Sequence, residues 1–268
     1  MATRSSAGTG SAHSQSLERG LAILSAFRSG RPLLGVSELG REIGLSRSTT
    51  HRYVATLATL GYLQQDDATR KYRLGPRVLD LGFSAINSME LREVAAPHLR
   101  RLSDETGFTV NMAILDGLDI VYVERCRSTQ PGQREIDLNL HVGSRLPAYC
   151  TSLGKVLLAF QPPDVQAAAV ERIDFVRRGP NTVTSSTAFV GELARIRGAG
   201  FAVNNAELAY GLRSIAAPVL AHDGAAAAAI NLAVHSSNVS TEDLFARLSE
   251  TLRRAAAEVS AHLGYRPV

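Results

Sequence analysis

Residues 36–60 read VSELGREIGLSRSTTHRYVATLATL, two helix-like stretches with almost no chain between them. So short a link restricts the pair to a helix-turn-helix. Ser37 is expected to cap the first helix, with Glu38 in its first turn and Leu39 and Ile43 pointing inward. Gly44 permits the tight turn. Ser46 is expected to cap the second helix, 47–60, whose apolar side is Thr50, Val54, Leu57 and Ala58 and which Gly61 ends. Upstream, SLERGLAILSAF (16–27) gives another helix, with Ser16 as cap and Leu17, Gly20, Leu21, Leu24 and Phe27 at helical spacing. Downstream, Tyr62 and Leu63 open a strand, DDAT makes a turn and KYRL returns, so a hairpin wing follows the helices.

The polar side of the second helix is unusual for a solvated face. It carries Arg47, Ser48, Thr49, His51, Arg52 and Tyr53, with no acid. Charge is also partitioned. Residues 1–90 hold 11 Lys and Arg against 7 Asp and Glu, whereas the rest of the chain holds 18 of each, for a net charge of +4. Any one of these features could be chance. Together with the turn and the wing they point to double-stranded DNA as the partner. Arginine can grip guanine through two hydrogen bonds, hydroxyls suit phosphates and base edges, and the helix start itself favours phosphate. The expected contacts are Ser46, Arg47, Ser48, Thr49, His51, Arg52 and Tyr53, with Arg70, Lys71 and Arg73 from the wing.

Several function classes fall away. Cys126 and Cys150 have neither zinc-ligand spacing nor a disulfide framework around them, so no metal or cofactor is expected. The Ser/Gly/Ala-rich segment 1–16 has no apolar core, so it reads as a disordered tail rather than a leader. The most apolar run, AAAAAINLAV (225–234), is too short to span a membrane and fits a buried strand. A cytoplasmic protein is the expectation.

After the wing domain (17–74), residues 75–90 form a connector. Pro76 stands at a helix start, with Val78, Leu81 and Ala85 on one face and Leu79, Phe83 and Ile86 on another. A helix apolar on two sides needs two partners: its own domain and a second copy, or one chain that buries it alone.

In residues 91–268, LREVAAPHLRRLSDETG reads as a helix closed by Gly107, with a local kink at Pro97. TVNMAILDGLDIVYVERC is a hairpin of alternating strands turning at Asp116–Gly117 and Leu118, and IDLNL (136–140) is another strand. Thr151 or Ser152 caps a helix through Phe160, and DVQAAAVERI and AFVGELARIRGAG are helices. FAVN, LRSIAAPVL and AAAAAINLAV add strands, and a terminal helix at about 241–263 covers the sheet. The fold class is α+β.

Ser152-Leu153-Gly154-Lys155 has the S-x-x-K spacing of penicillin-interacting serine enzymes, but the K-T-G they also need is absent. His141, His222 and His235 stand alone. Catalysis is therefore not expected. A small-molecule site is, because the helix start at CTSLGK offers free backbone N–H groups to a carboxylate.

SLERGLAILSAF, VSELGREIGLSRSTTHRYVATLATLGYL and YRLG resemble the N-terminal winged helix of the IclR family of bacterial transcription regulators, and the similarity runs through the whole chain. The resemblance implies a winged helix-turn-helix, a linker helix that also joins a homodimer (or a dimer of dimers), and a GAF-like effector-binding domain. It also implies a pocket lined by Leu138, Leu146, Ser152, Leu153, Asn204, Leu212, Ser214, Asn231 and Ala233, beside Thr151 at the helix start. Family members that respond to glyoxylate or pyruvate carry an acid at the position of Asn204, a cysteine at Ser214 and serines at Asn231 and Ala233, so the ligand should differ here.

LDLGFSAINSMELREVAAPHLRRLSDETG, PGQREIDLNLHVGSRLPAYCTSLGK and VNNAELAYGLRSIAAPV are similar to the subgroup that controls protocatechuate, 4-hydroxybenzoate and β-ketoadipate catabolism. That resemblance implies a small carboxylate effector. Arg134, Arg145 and Arg213 are candidate counter-charges or structural ion-pair arginines, and Tyr149 either flanks an aromatic ring or belongs to the core. A regulator answering to another organic acid, or an enzyme fused to a DNA-binding domain, is the alternative.

Overall fold

The computed structural model describes residues 14–28, 30–87, 90–128, 139–237, 240 and 247–266, the side chains of 83–87 excepted. It divides into two compact units, residues 1–88 and 89–268.

In the first unit, α1 (Gln15–Ser25), α2 (Val36–Ile43) and α3 (Arg47–Thr59) precede a two-stranded sheet, β1 (Leu63–Gln65) and β2 (Tyr72–Leu74). Ile23, Phe27, Leu34, Leu39, Val54, Leu63 and Tyr72 form its core. Ser46 caps α3 as expected, its Oγ accepting the Thr49 N–H at 3.2 Å. Gly44, at φ 68°, ends α2 in the left-handed conformation that glycine adopts freely. Gly40 sits where α2 crosses α3: a Cβ there would lie 2.9 Å from both Leu45 O and Thr50 Oγ1. Only glycine lets the two helices approach this closely. β1 and β2 pair antiparallel, and Leu34 exchanges two backbone hydrogen bonds with Tyr72, extending the wing.

Two expected caps move. Ser14, not Ser16, caps α1, so Gln15 and Ser16 are helical rather than part of a tail; residues 1–13 lie outside the described residues. Helix α2 begins at Val36, so Ser37 lies inside its first turn. There the Glu38 carboxylate reaches back to accept the Gly35 N–H at 2.6 Å, which satisfies a free amide at the helix start without any side chain at the cap position. The connector is α4 (Arg77–Asn87), on which Leu79 and Leu81 are exposed. Phe83, Ala85 and Ile86 of its expected faces lie outside the described side chains.

The second unit is a six-stranded antiparallel sheet of order β5-β4-β3-β8-β7-β6. Its strands are β3 (Thr109–Asp116), β4 (Asp119–Cys126), β5 (Arg145–Pro147), β6 (Ala202–Asn205), β7 (Leu212–Leu220) and β8 (Ala226–His235). On one face, α5 (Glu90–Thr106) and α9 (Ser249–His262) bury Leu99, Leu102, Leu252 and Val259 against Val110, Met112, Ile215 and Ile230. On the other, α6 (Ser152–Ala159), α7 (Pro163–Arg172) and α8 (Ser186–Ala199) bury Leu153, Leu157, Val170 and Phe189 against Ala113, Ile120, Ala216 and Ala229. With both faces covered, β3 is buried along Thr109–Ala113 instead of alternating.

The hairpin turns at Gly117 as expected, with φ 63°. The strand expected at 136–140 does not form where it can be seen: Asn139, at φ 49°, leads a turn, and 136–138 lie outside the described residues. Edge strand β5, which carries no alternating pattern in sequence, takes the place beside β4. Of the terminal helix, residues 241–246 lie outside the described residues, and the regular helix runs Ser249–His262.

Candidate functional site

Two polar surfaces stand out, one in each unit. In the first, Arg47, Ser48, His51 and Arg52 are exposed along α3. Thr50 and Val54, on the opposite side of that helix, are fully buried. The ion pairs seen among the described residues of this unit use Arg28 and Arg31 with Glu42, and Lys71 with Glu38, leaving Arg47, Arg52 and Arg70 outside them. The spacing of α3 therefore presents basic and hydroxyl groups on one side of a helix anchored by its other side.

Of the remaining expected DNA contacts, Thr49, Tyr53 and Lys71 are partly buried, whereas Ser46, Arg70 and Arg73 are exposed. Ser46 is the cap, and its hydroxyl also donates to Thr49 Oγ1 at 2.9 Å. Tyr53 packs against the core, and a hydrogen bond with Ser16 and the nearby Arg19 charge hold its phenol below the usual range. It therefore faces α1 rather than standing free on the recognition face. On the wing, Asp66 accepts from Thr69 N at 2.8 Å and from Thr69 Oγ1 at 2.7 Å, closing a turn in which Arg70 has φ 58°. Arg73 donates to Gln64 across the strands, and Lys71 is tied to Glu38 of α2 at 3.2 Å.

In the second unit the register brings the strand-borne candidates to one face of the sheet. Asn204 pairs with Ser214, Ser214 with Ala233, and Ala233 with Thr109; one step along, Ala216 pairs with Asn231 and Asn231 with Asn111. Leu212 shares this face with Ser214, and Leu146, through its pairing with Ile120, shares it at the other edge. Helix α6 covers this side. Thr151 caps it, accepting the Gly154 N–H at 3.0 Å, and Ser152 Oγ lies 2.7 Å from Ser214 Oγ. Gly154 is required there, because a Cβ would come within 2.3 Å of Ala148 O in the tight turn before the helix. The result is a buried polar strip (Thr109, Asn111, Ser152, Asn204, Ser214 and Asn231) inside an otherwise apolar layer. Buried polar groups persist only when hydrogen-bonded.

Not every expected residue stands on that strip as a free group. Asn204 is a strut: its Nδ2 donates to Cys150 O at 2.6 Å and its Oδ1 accepts from Glu207 N at 3.3 Å. Tyr149 is a core residue, its hydroxyl donating to Val176 O at 2.5 Å and its ring edge-on to Phe175. Arg145 binds Asp116 and Asp119 at the hairpin tip, and Arg213 donates to Asn205 and to Ser236 O, so both are structural. Leu138 and Arg134 lie outside the described residues.

Three participants escaped sequence reading. Asn111 donates to Asn231 Oδ1 at 2.8 Å, and Arg125 donates to Asn111 Oδ1 at 3.1 Å. A lone asparagine in the apolar run TVNMAIL was the available signal. Glu207 is the third. Lys155 is fully buried, its Nζ bound to Glu207 Oε1 at 2.5 Å, Glu192 Oε1 at 2.7 Å and Val203 O at 2.7 Å. Burial raises the Glu207 carboxyl above its usual range, against the opposing pull of Lys155. These bonds hold Lys155 with acids while Ser152 bonds Ser214, so the S-x-x-K spacing makes no nucleophile–base pair. Burial pushes the Cys150 thiol up to about 11, which disfavours its thiolate.

Known proteins match this arrangement along most of its length. The family model described as the bacterial transcriptional regulator IclR C-terminal domain matches residues 83–261, and that of the IclR helix-turn-helix domain matches residues 16–67. The regulator XynR of Escherichia coli is 34% identical, over 94% of this chain and 98% of its own. The Pca regulon regulatory protein of Pseudomonas putida is 35% identical, over 92% and 84%. The p-hydroxybenzoate hydroxylase transcriptional activator of Acinetobacter baylyi is 34% identical, over 91% and 89%. Among solved structures, the protein RHA06195 from Rhodococcus sp. RHA1 superposes with a TM-score of 0.80 at 38% identity, covering 94% of this chain and 99% of that one. An IclR homologue from Microbacterium hydrocarbonoxydans complexed with 4-hydroxybenzoate gives 0.78 at 27%, covering 93% and 99%. With two family models together covering most of its length, and relatives at 34–35% identity, the chain belongs to the IclR family of bacterial transcriptional regulators.

Proposed function

We propose that this regulator controls genes of aromatic-acid catabolism and answers to a small carboxylate bound on the α6 face of its sheet. The observation that carries the reading is the buried polar strip under the start of α6. There Ser152, Ser214 and Asn231 interrupt an apolar layer, and the Ser152 and Leu153 amides enter no hydrogen bond among the described residues. Helix-start amides favour anions, and apolar walls with a few polar groups suit a small organic acid. The names of the Pca regulon and p-hydroxybenzoate hydroxylase relatives, and the 4-hydroxybenzoate complex, support the aromatic class.

In this reading residues 17–74 bind operator DNA, with Arg47, Ser48, His51 and Arg52 reading the groove from α3 and Arg70, Lys71 and Arg73 flanking it from the wing. The connector 75–90 joins two copies, which the exposed Leu79 and Leu81 favour. A homodimer then sets two recognition helices on a palindromic operator. The acid biases the pose of those helices, and so the operator affinity, by the difference in its affinity for the two poses.

The test is a titration of operator DNA from upstream of the neighbouring operon at near-physiological salt, with and without protocatechuate, 4-hydroxybenzoate and β-ketoadipate. A specific complex whose affinity shifts with one of them supports the reading. Specific binding indifferent to all three removes the aromatic assignment in favour of another organic acid.

A further inference from the structure

The hydrogen-bonded chain Arg125–Asn111–Asn231 runs along the α6 face of the sheet, from β4 through β3 to β8. Its polarity follows from chemistry. A guanidinium has donors only, so the end of Asn111 that meets Arg125 must be the oxygen. Asn111 is then obliged to present its N–H2 end to Asn231, whose oxygen accepts it at 2.8 Å. This leaves the Nδ2 end of Asn231, and among the described residues no hydrogen bond uses that nitrogen. Asn111 is 1% and Asn231 5% exposed, so solvent has little access with which to relax the order. An amide flip at either asparagine would set two like ends against each other inside the protein, at the cost of a buried unsatisfied group.

We infer that Arg125 is a positioning residue that, acting through Asn111, fixes Asn231 as a hydrogen-bond donor towards the effector, so that the site selects an acid over the matching carboxamide. The inference deepens the proposed function and rests on its placement of the effector on the α6 face. Neither Arg125 nor Asn111 needs to touch the ligand. The carboxylate supplies acceptors only, whereas an amide turned by its other contacts can bring a second N–H against Asn231.

Calorimetric titration of the full-length protein with 4-hydroxybenzoate and 4-hydroxybenzamide tests it. The wild type should prefer the acid, Arg125→Lys, which keeps a donor, should retain the preference, and Arg125→Glu, which accepts from Asn111 and reverses both amides, should reduce it by about tenfold or more. An equal loss for acid and amide in Arg125→Glu, with thermal unfolding intact, overturns the inference and leaves the site standing. A wild type that binds neither compound removes the aromatic assignment. Side-chain amide NMR then decides the polarity without a ligand. Slow hydrogen exchange at Asn111 Nδ2 with fast exchange at Asn231 Nδ2 supports it, and the reverse order overturns it. The same NMR measurement serves if Arg125→Glu does not fold.

Discussion

The molecule carries cations in two opposite settings. On α3, Arg47 and Arg52 stand in solvent, outside the ion pairs seen among the described residues of their unit. Under α6, Lys155 is fully buried between two carboxylates and a carbonyl. A solvated charge keeps its hydration and is available to a polyanion that releases counterions on binding. A buried charge must be neutralised within the fold, so it serves architecture and offers nothing outward. The same residue chemistry thus leaves a cation available to a partner in one unit and makes it a structural pin in the other, with burial deciding which.

The sharpest way to break that contrast is Lys155→Met. It strands Glu207 and Glu192 in the interior and should cost about 3–5 kcal/mol, seen as a large fall in melting temperature; an unchanged Tm would show that Lys155 is not a pin. Next in size, Arg47→Ala and Arg52→Ala should each weaken operator binding by about 1–3 kcal/mol at fixed salt with no change in Tm. Equal affinity for the variants would take recognition away from this face. Gly40→Ala should lower Tm through overpacking at the α2–α3 crossing, by about 1–3 kcal/mol, and would test whether that close approach is needed to hold α3 in place.

Ser46→Ala should cost about 1 kcal/mol of stability, since Thr49 N loses its capping acceptor. The smallest effect concerns pH. Burial raises the Glu207 carboxyl, so the folded state holds a proton that the unfolded chain has released between the ordinary carboxylate value and the raised one. Stability should therefore fall as pH rises across that interval and level off above it. Glu207→Gln should flatten this slope in pH-dependent denaturation; a slope that persists would assign the titration to another group.

Much of the first unit was legible because its rules are local. Helical spacing, the Ser46 cap, Gly44 and the wing turn each act within a few residues, and all take the expected form. The misplaced caps at Ser16 and Ser37 share one cause. Several nearby groups compete to satisfy a helix start, and at α2 the Glu38 carboxylate, three residues on from Gly35, accepts the amide that a capping hydroxyl would have taken. In the second unit most strands and helices were also readable, but β5 and the turn at Asn139 were not, because an edge strand is defined by its neighbour rather than by its own pattern. The assignment of polar side chains fared least well. Tyr149, Arg145 and Arg213 took the structural one of the two roles left open for each, whereas Asn111, Arg125 and Glu207 drew no notice.

Sequence alone determined the two-unit plan, the helix-turn-helix with its basic acid-free face, and a cap for α6 at Thr151 or Ser152, since periodicity, capping and charge all act over short stretches of chain. The tertiary structure decided which polar groups are spent and which remain available. Asn231 meets Asn111, Ser152 meets Ser214, and Lys155 meets Glu192 and Glu207 through sheet register and helix packing. Those partners are distant along the chain, and a hydrogen bond between them leaves no local pattern to read.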